Sequence, residues 1–150
     1  MFSKTTEYAL RAVIYIARNS SESKKIGLSE IADAIDSPQS FTAKILQVLT
    51  KEDQVICSVR GPNGGFYINK KQKALPVIAV LRAVEEKKKL EKCVLGLAEC
   101  MESHPCPLHE EYKSIKKQLL RLFEQKTISD LMDKDSINST FINNRKRKGK

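Results

Sequence analysis

The stretch of the chain that decides its fold is residues 55–69. It reads Val55-Ile56-Cys57-Ser58-Val59, then Arg60-Gly61-Pro62-Asn63-Gly64-Gly65, then Phe66-Tyr67-Ile68-Asn69. The outer runs are rich in β-branched and aromatic residues, which favour strands, whereas the middle run is rich in glycine and favours a turn. Two short strands around such a turn predict a β-hairpin.

Two amphipathic helices are predicted at the start of the chain. The first covers residues 4–18 and the second begins near residue 28. In each, apolar residues recur at the i, i+3, i+4, i+7 spacing of one helix face. These residues are Leu10, Val13, Ile14 and Ala17 in the first helix, and Leu28, Ile31, Ala32 and Ile35 in the second.

A third helix is predicted directly in front of the hairpin. Asp36-Ser37-Pro38 interrupts the second helix, and Ser37 is a suitable N-cap with Pro38 as the first helical residue. The third helix is then expected to run to about Lys51. Its expected inward residues are Phe41, Ile45, Val48 and Leu49.

Further helices are predicted after the hairpin. A fourth begins near Pro76, with Val77, Val80, Leu81 and Val84 facing inward, and residues 86–107 lack helical periodicity. A long helix follows from residue 108. Its apolar side carries Leu108, Tyr112, Ile115, Leu119, Leu122 and Phe123. Thr127 and Asp130 resemble a capping box that opens a short last helix, Ile128–Met132. The polar, basic segment 134–150 is expected to be disordered.

This order of elements predicts a winged helix-turn-helix, mainly α with a small β-hairpin, followed by a long C-terminal dimerisation helix. A helix fits the DNA major groove, and a hairpin tip beside it reaches phosphates. The expected DNA contacts are polar third-helix residues outside the apolar face and residues of the hairpin turn. They are Ser37, Gln39, Ser40, Thr42, Lys44, Arg60, Gly61, Asn63 and Gly64. The alternative is a small helical domain whose polar face only meets water. No Gly-Lys-Ser/Thr follows the glycines, which disfavours a nucleotide-binding P-loop.

Charge and hydropathy narrow the class of protein. The chain of 150 residues has a formal net charge of +9, of which a large part lies in the basic segment 145–150. This charge indicates an anionic partner, with a merely solvated basic tail as the alternative. No apolar run approaches the roughly 20 residues that span a bilayer, and the polar N-terminus does not resemble a signal peptide. We therefore expect a cytoplasmic protein with no membrane partner.

Four cysteines carry the chemical signal of the sequence. Cys93, Cys100 and Cys106 lie within 14 residues at the spacing C-x6-C-x5-C, and His109 follows three residues later. Thiolates are the usual ligands of iron–sulfur clusters, and imidazole can replace a thiolate on one iron. Unliganded thiols and disulfide exchange remain alternatives. The fourth cysteine, Cys57, is expected to pack as a small hydrophobic residue.

Three segments of the chain resemble a known family. They are Tyr8-Ala9-Leu10-Arg11-Ala12, Leu28-Ser29-Glu30-Ile31-Ala32 and Ser58-Val59-Arg60-Gly61-Pro62-Asn63-Gly64-Gly65-Phe66. In these segments the chain is similar to the Rrf2 family of bacterial regulators, over about residues 1–133. The resemblance implies a dimeric winged-helix repressor or activator whose long C-terminal helix pairs with its partner's. Two departures are that the turn 51–54 lacks the usual glycine, and that Ala43 replaces an acidic residue involved in discriminating DNA sites.

The resemblance also bears on the cysteine loop. Cluster-binding members place three cysteines there, usually near C-x5-C-x5-C, so one extra residue separates Cys93 from Cys100. His109 matches the histidine ligand of the 2Fe–2S biogenesis regulator, which slightly favours 2Fe–2S over 4Fe–4S. Glu7 matches an acidic ligand of the nitric-oxide-sensing subtype and is the alternative fourth ligand. A solvated helix-start carboxylate is the competing explanation for Glu7. His104 matches no family ligand and is the weaker histidine candidate.

Three functions compete at this point. The first is a homodimeric, sequence-specific DNA-binding regulator that senses iron–sulfur, nitric oxide or redox status through the cluster. The second is a metal-free winged-helix regulator gated by thiols or a protein partner, as in some members of the family. The third, an electron carrier or enzyme, lacks any catalytic motif. The predicted organisation is a DNA-binding domain at 1–85, a cluster loop at 86–107, dimerisation and terminal helices at 108–133, and a basic tail at 134–150.

Overall fold

The computed structural model of the chain describes residues 1–51, 54–132 and 142. Within them the chain is mainly helical with one two-stranded antiparallel hairpin, which confirms the predicted fold class. The elements are α1 Lys4–Asn19, α2 Leu28–Ile35, α3 Gln39–Lys51, β1 Cys57–Val59, β2 Gly65–Tyr67, α4 Lys70–Lys73, α5 Ile78–Ala83, α6 Glu86–Leu90, α7 His109–Gln125 and a 3₁₀ turn at Ser129–Leu131. The predicted basic tail lies outside the described residues, apart from residue 142.

The first three helices pack against one another around the core. Ile16 of α1, Ile31 of α2 and Leu46 of α3 are fully buried there. Two of the family-like residues join these helices. Arg11 donates from Nη1 to the carbonyl of Ile35 at 3.4 Å, and Tyr8 packs edge-on against Phe41 of α3. The helix α3, which the sequence predicts to contact DNA, is therefore packed against α1.

A left-handed residue makes the tight turn between α2 and α3. Asp36 has φ 56°, and the Ser37 N–H bonds the Ala32 carbonyl across the turn at 3.0 Å. The α3 helix begins at Gln39, one residue later than predicted, because the Pro38 carbonyl accepts the first helical bond from Thr42 N–H. The expected first-residue role of Pro38 is therefore wrong by one position.

The hairpin is anchored to the core by a third segment. Ile26 is fully buried, and its N–H and carbonyl bond the carbonyl and N–H of Phe66 at 2.9 and 2.8 Å. On the other side, β1 pairs with β2 in the register Cys57 to Tyr67. A backbone bridge on both edges of β2 fixes the direction in which the turn 60–64 projects.

Several predictions on the inward faces and short elements are wrong. Val48 is 36% exposed, whereas Leu46, absent from the expected set, is buried. The helix expected near Pro76 is present as α5, but α4, which precedes Pro76, was not predicted, and the segment beginning at residue 86 contains the helix α6. The last element is a 3₁₀ turn rather than the helix Ile128–Met132.

The region after α6 returns to the same core. Phe123 of α7 packs edge-on against Phe2 with ring centroids 5.5 Å apart, and Ile128 is fully buried. The predicted capping box is confirmed: Thr127 N–H donates to Asp130 Oδ2 at 2.8 Å, and Asp130 N–H donates to Thr127 Oγ1 at 3.2 Å. None of the described helices is both long and apolar enough to cross a membrane.

The turn after α3 contains a strained residue. Gln54 has φ 46°, the left-handed region that glycine adopts most readily. This position lies in the turn where the sequence lacks the expected glycine. The backbone therefore keeps a glycine-like conformation with a side chain present.

Candidate functional site

One groove runs between α3 and the hairpin turn. We call it the DNA groove. Its walls are exposed residues of α3 on one side and the turn between β1 and β2 on the other. Among its lining residues are Lys44, Gln47, Lys51, Ser58, Arg60, Gly61 and Gly64. Three cations in one groove, with no carboxylate among the described residues that line it, favour a polyanion as the occupant.

Of the predicted DNA contacts, Lys44, Arg60, Gly61 and Gly64 line this groove. The others are not among its lining residues. Gln39, Ser40 and Lys44 are exposed on α3, and Arg60 and Asn63 are exposed on the hairpin turn. Ser37 is half-buried in the turn before α3. These side chains lie on the two elements that the sequence assigned to DNA.

Thr42 is the exception among the predicted DNA contacts. Its side chain is fully buried, and Oγ1 donates to the Pro38 carbonyl at 2.9 Å. The expectation that Thr42 lies outside the apolar face is wrong. A threonine hydroxyl can satisfy itself on the preceding turn of its own helix, so it can be buried like an apolar residue.

Sequence reasoning missed several residues of the DNA groove, including two long polar side chains of α3. Gln47 and Lys51 lie three and seven residues after Lys44 and line the groove with it. The i, i+3, i+7 spacing of these polar residues mirrors the spacing that identifies an apolar face. That polar periodicity was the signal in the sequence.

Backbone geometry shapes the hairpin turn. Gly61 has φ 109°, which only glycine adopts without strain, and its carbonyl accepts from Gly64 N–H at 2.9 Å. A Cβ at Gly64 would lie 2.2 Å from the Val59 carbonyl oxygen. The turn therefore requires glycine at Gly61 because of its φ and at Gly64 because of the neighbouring backbone, and Arg60 is attached to a short, defined segment of backbone.

The clustered cysteines line a second site, which we call the cysteine cavity. It measures about 270 Å³, and its walls include Cys93, Cys100, Cys106 and His109. Cys93 and His109 are buried, Cys106 is half-buried and Cys100 is exposed. The structure thus brings all four of the preferred ligand candidates to one cavity between the loop after α6 and the start of α7.

Within the cavity the four residues form two pairs. Cys100 Sγ lies 3.6 Å from His109 Nδ1, which is within contact distance for sulfur. The Cys106 side chain lies close enough to the Cys93 thiol to help lower the pKa of Cys93, and both cysteines are free thiols. In the described parts of the chain, no three His, Cys, Asp or Glu side chains converge as a single-ion site requires. The arrangement is therefore two adjacent donor pairs rather than one ion-binding cage.

The surroundings of Cys93 favour its thiolate form. The backbone N–H groups of Leu95 and Leu97 hold the pKa of the Cys93 thiol below its ordinary value, against burial, which raises it. His109 Nε2 is buried with no protein hydrogen-bond partner among the described residues. One cavity thus contains a thiol with a lowered pKa and a buried imidazole nitrogen that has no partner among the described residues. This combination fits a group that binds thiolate and imidazole.

Charged side chains tie the cavity wall together. Glu102 of the loop forms an ion pair with Lys113 of α7. This pair lowers the pKa of Glu102 and raises that of Lys113. Lys116 Nζ donates to the Glu91 carbonyl at 3.4 Å. Both contacts hold α7 against the segment that carries the cysteines.

The remaining candidate residues lie elsewhere. Glu7 is in the first turn of α1, where it pairs with Lys4 at 3.2 Å, and it does not line the cysteine cavity within one chain. His104 is exposed and is not among the lining residues of the cavity. Cys57, expected to pack as a small hydrophobic residue, is half-buried on β1. Val59, two residues later on β1, is 44% exposed. The face of β1 that carries Cys57 and Val59 is therefore partly open to solvent.

Comparison with known proteins identifies the family. The profile of the Rrf2 family, described as iron-dependent transcriptional regulators, matches residues 2–134. The chain belongs to the Rrf2 family. Members of this family are transcriptional regulators, not enzymes, which confirms the expectation from the sequence. This Rrf2 chain is therefore a transcriptional regulator.

Individual Rrf2-like proteins agree with the assignment. A protein of Aquifex aeolicus described as an HTH-type transcriptional regulator is 33% identical over 135 residues, 89% of this chain and 92% of the relative. The regulator NsrR of Geobacillus kaustophilus is 29% identical over 129 residues, 85% and 86% of the two chains. The structure of CymR, the global cysteine regulator of B. subtilis, superimposes with a TM-score of 0.68 at 19% identity, covering 87% of this chain and 95% of CymR. The last likeness supports the fold of this Rrf2 chain.

Proposed function

We propose that this Rrf2 regulator binds double-stranded DNA as a homodimer and senses iron–sulfur, nitric oxide or redox status through an iron–sulfur cluster. The proposed ligands are Cys93, Cys100, Cys106 and His109. One observation carries the proposal: these three thiols and one imidazole, separated by up to 16 positions in sequence, line a single cavity. A regulator that acts on chromosomal DNA is expected in the cytoplasm.

The pairing of the donors supports a 2Fe–2S form. Cys93 with Cys106 and Cys100 with His109 make two donor pairs. A cluster with two irons takes protein ligands in two pairs, one for each iron, so this arrangement suits it better than it suits a single ion. The cluster would supply a redox-active and chemically labile group. The protein residues hold it, and the N–H groups that bond Cys93 stabilise thiolate charge.

The DNA groove supports the binding mode. The exposed side chains of α3 can meet base edges in the major groove, while Arg60 on the hairpin turn is positioned for a phosphate or the minor groove. Lys44 and Lys51 add positive charge along the same groove. We expect α3 to contribute base recognition and the hairpin to contribute orientation on the duplex.

The helix α7 supports the homodimer. In one chain its side chains Ile115 and Leu122 are 60% and 51% exposed, and His109 is its only buried residue among those described. A solvent-facing row of large apolar residues on a long helix indicates a protein interface. Pairing through residues 108–124 would place two copies of α3 about one turn of DNA apart, or a multiple of that distance.

The metal-free regulator is the second candidate. The contact between the Cys93 and Cys106 thiols favours it, because neighbouring thiols can gate a protein without metal. In this case the cavity would hold no cluster, and the thiols or a partner protein would control DNA binding.

Anaerobic purification followed by iron, sulfide and absorbance measurements separates the two candidates. The proposal expects iron and sulfide in the protein and visible absorbance that is lost in Cys93→Ser, Cys100→Ser and Cys106→Ser. Cys57→Ser is the matched control and should keep the spectrum, since Cys57 lies outside the cavity. His109→Ala should shift or destabilise the absorbance. An unchanged spectrum in His109→Ala together with its loss in Glu7→Gln would transfer the fourth-ligand role to Glu7. Wild-type protein without iron would favour the metal-free candidate.

A DNA-binding assay tests the groove separately. Arg60→Ala should weaken binding to the operator much more than binding to random DNA, because Arg60 is attached to a tight turn. Removing residues 145–150 should weaken both modestly, since a run of basic residues contributes salt-dependent attraction without sequence preference. Equal losses on both DNAs for Arg60→Ala would contradict its assigned role.

A further inference from the structure

A buried carboxylate joins the cysteine-bearing region to the DNA-binding helices. Glu86, the first residue of α6, is 3% exposed. Its Oε1 accepts from the backbone N–H of Ser3 and its Oε2 from the Ser3 hydroxyl, both at 3.1 Å. The two residues are 83 positions apart in sequence. Neither the DNA groove nor the cysteine cavity uses this carboxylate.

Ser3 is the residue that caps α1. Its Oγ accepts from Thr6 N–H at 3.3 Å and lies 3.1 Å from Thr6 Oγ1, and Thr6 is fully buried. The Glu86 carboxylate therefore lies at the positive end of a 16-residue helix, where negative charge is stabilised. Burial raises the pKa of Glu86, but the bonds from Ser3 and Thr6, with Lys89 Nζ at 3.6 Å, outweigh burial and hold that pKa below its ordinary value. The group is thus an anion at neutral pH.

The two helices that flank the cysteine cavity, α6 and α7, both contact the segment Phe2–Ser3. On one side, α6 ends at Leu90, three residues before Cys93. On the other side, α7 begins at His109, and its Phe123 packs on Phe2, the neighbour of Ser3. The segment Phe2–Ser3 is therefore in contact with the two helices that flank the cavity. Directly after it, α1 packs against α2 and α3.

We propose that Glu86 is the positioning residue that transmits the state of the cysteine cavity to α1 and, through α1, to the DNA-contacting helix α3. This inference rests on the proposed function. Each oxygen of the Glu86 carboxylate accepts a hydrogen bond from Ser3. A displacement of α6 must therefore either move the start of α1 or break these two charge-assisted hydrogen bonds. A change in the loop that holds Cys93 thereby acts on α1, which supports α3 from behind.

Transmission and simple stabilisation give different results. A bond that only stabilises the fold affects DNA binding equally whether the cavity is loaded or empty. A bond that transmits the state changes the ratio of the two DNA affinities, which is the coupling between sites. The ratio is therefore the quantity to measure.

The test compares wild-type protein with Glu86→Gln and Glu85→Gln. Glu85 is the matched control, because it is the adjacent carboxylate but is exposed and forms its ion pair with the exposed Lys88. Operator affinity is measured for the iron-loaded protein and after removal of iron with a chelator. Coupling between sites is typically about 5–150-fold, and we expect a ratio of that size in wild type and Glu85→Gln. In Glu86→Gln the ratio should fall to about one, with iron content and visible spectrum unchanged.

Hydrogen exchange gives a readout that does not depend on DNA. The backbone amides of Thr6 and Glu7 should differ in exchange rate between loaded and iron-free wild type, and this difference should vanish in Glu86→Gln. If that variant does not fold, Ser3→Ala removes the hydroxyl bond to Glu86 and the cap bond from Thr6 N–H but keeps the backbone bond to Glu86. It should lower the ratio part of the way.

Four outcomes overturn the inference. The first is a wild-type ratio in Glu86→Gln, or in Ser3→Ala where that variant replaces it. The second is loss of iron from Glu86→Gln, which would make Glu86 a determinant of cavity loading instead. The third is a change of ratio in Glu85→Gln equal to that in Glu86→Gln. The fourth is a ratio of one in wild type itself, and only this outcome also refutes the proposed sensor function.

Discussion

A single added methyl group at Gly65 should release the hairpin from the core. Gly65 has φ 149°, and a Cβ built on it would lie 2.7 Å from the Ile26 carbonyl oxygen and 3.0 Å from the Ile26 carbonyl carbon. The opposing atoms are backbone, and Ile26 is buried and bonded in both directions to Phe66. Neither side can move without loss of those bonds, so we expect Gly65→Ala to separate β2 from Ile26.

The size of the effect follows from two contributions. A non-glycine residue at positive φ costs about 1–2 kcal/mol. Loss of the two bonds between Ile26 and Phe66 costs roughly 1 kcal/mol each. The total is about 3–4 kcal/mol, which for a chain of this size corresponds to a decrease in Tm of roughly 6–16 °C. Operator binding should fall in parallel, because Arg60 is carried by the displaced turn.

Thermal denaturation followed by circular dichroism measures the first effect, and operator titration below the Tm measures the second. Gly27→Ala is the matched control, since Gly27 is next to Ile26 but a Cβ there would meet nothing within 4 Å. Gly27→Ala should lower the free energy of unfolding by about 1 kcal/mol, the usual effect of alanine at a helix N-cap. If Gly65→Ala and Gly27→Ala unfold at the same temperature, the close approach of β2 to Ile26 does not hold the hairpin.

Three further changes test the core, the buried carboxylate and the dimer. Leu46→Ala should lower the free energy of unfolding by about 2–5 kcal/mol in denaturant titration, because Leu46 is fully buried, whereas Val48→Ala on the exposed side should cost less than about 1 kcal/mol. Glu86→Gln should have a lower free energy of unfolding than wild type at pH 7, and this difference should disappear on acidification. The folded pKa of Glu86 is lowered, so its carboxylate stabilises the fold above the ordinary pKa of 4.5. That stabilisation is lost as the pH falls through the folded pKa. A deficit that persists at low pH would contradict this assignment. Ile115→Asp should yield a monomer in sedimentation while Gln118→Asp stays dimeric, and an unchanged dimer in Ile115→Asp would remove α7 from the interface.

The sequence predicted the fold wherever a periodicity was long enough to read. The first two helices have two turns or more of regular apolar spacing, and the hairpin has a glycine turn between strand-forming runs, so these elements lie close to their expected places. The helices α4 and α6 contain four and five residues. A segment this short completes little more than one turn, and its position depends on tertiary contacts rather than on its own pattern. Glu86 illustrates this, since its partner Ser3 is at the other end of the DNA-binding region.

The candidate sites divide in the same way. Spacing placed Cys93, Cys100, Cys106 and His109 in one region, because three of them belong to a single short loop. Spacing could not reveal their arrangement in two pairs, which depends on how the loop folds against α7. The misplacement of Thr42 has a related cause: residue type suggested an outward polar group, while a bond within its own helix allows it to be buried.

The left-handed backbone of Gln54 places conformational strain in the turn after α3. A side chain in this conformation costs about 1–2 kcal/mol, against a total stability of about 5–15 kcal/mol for a natural domain. The penalty is small enough to survive natural selection, yet large enough for protein engineering to recover. A glycine at this position would raise stability without altering any side chain of the DNA groove. The turn thus tolerates residues other than glycine. The single substitution Gln54→Gly should raise the Tm of the protein.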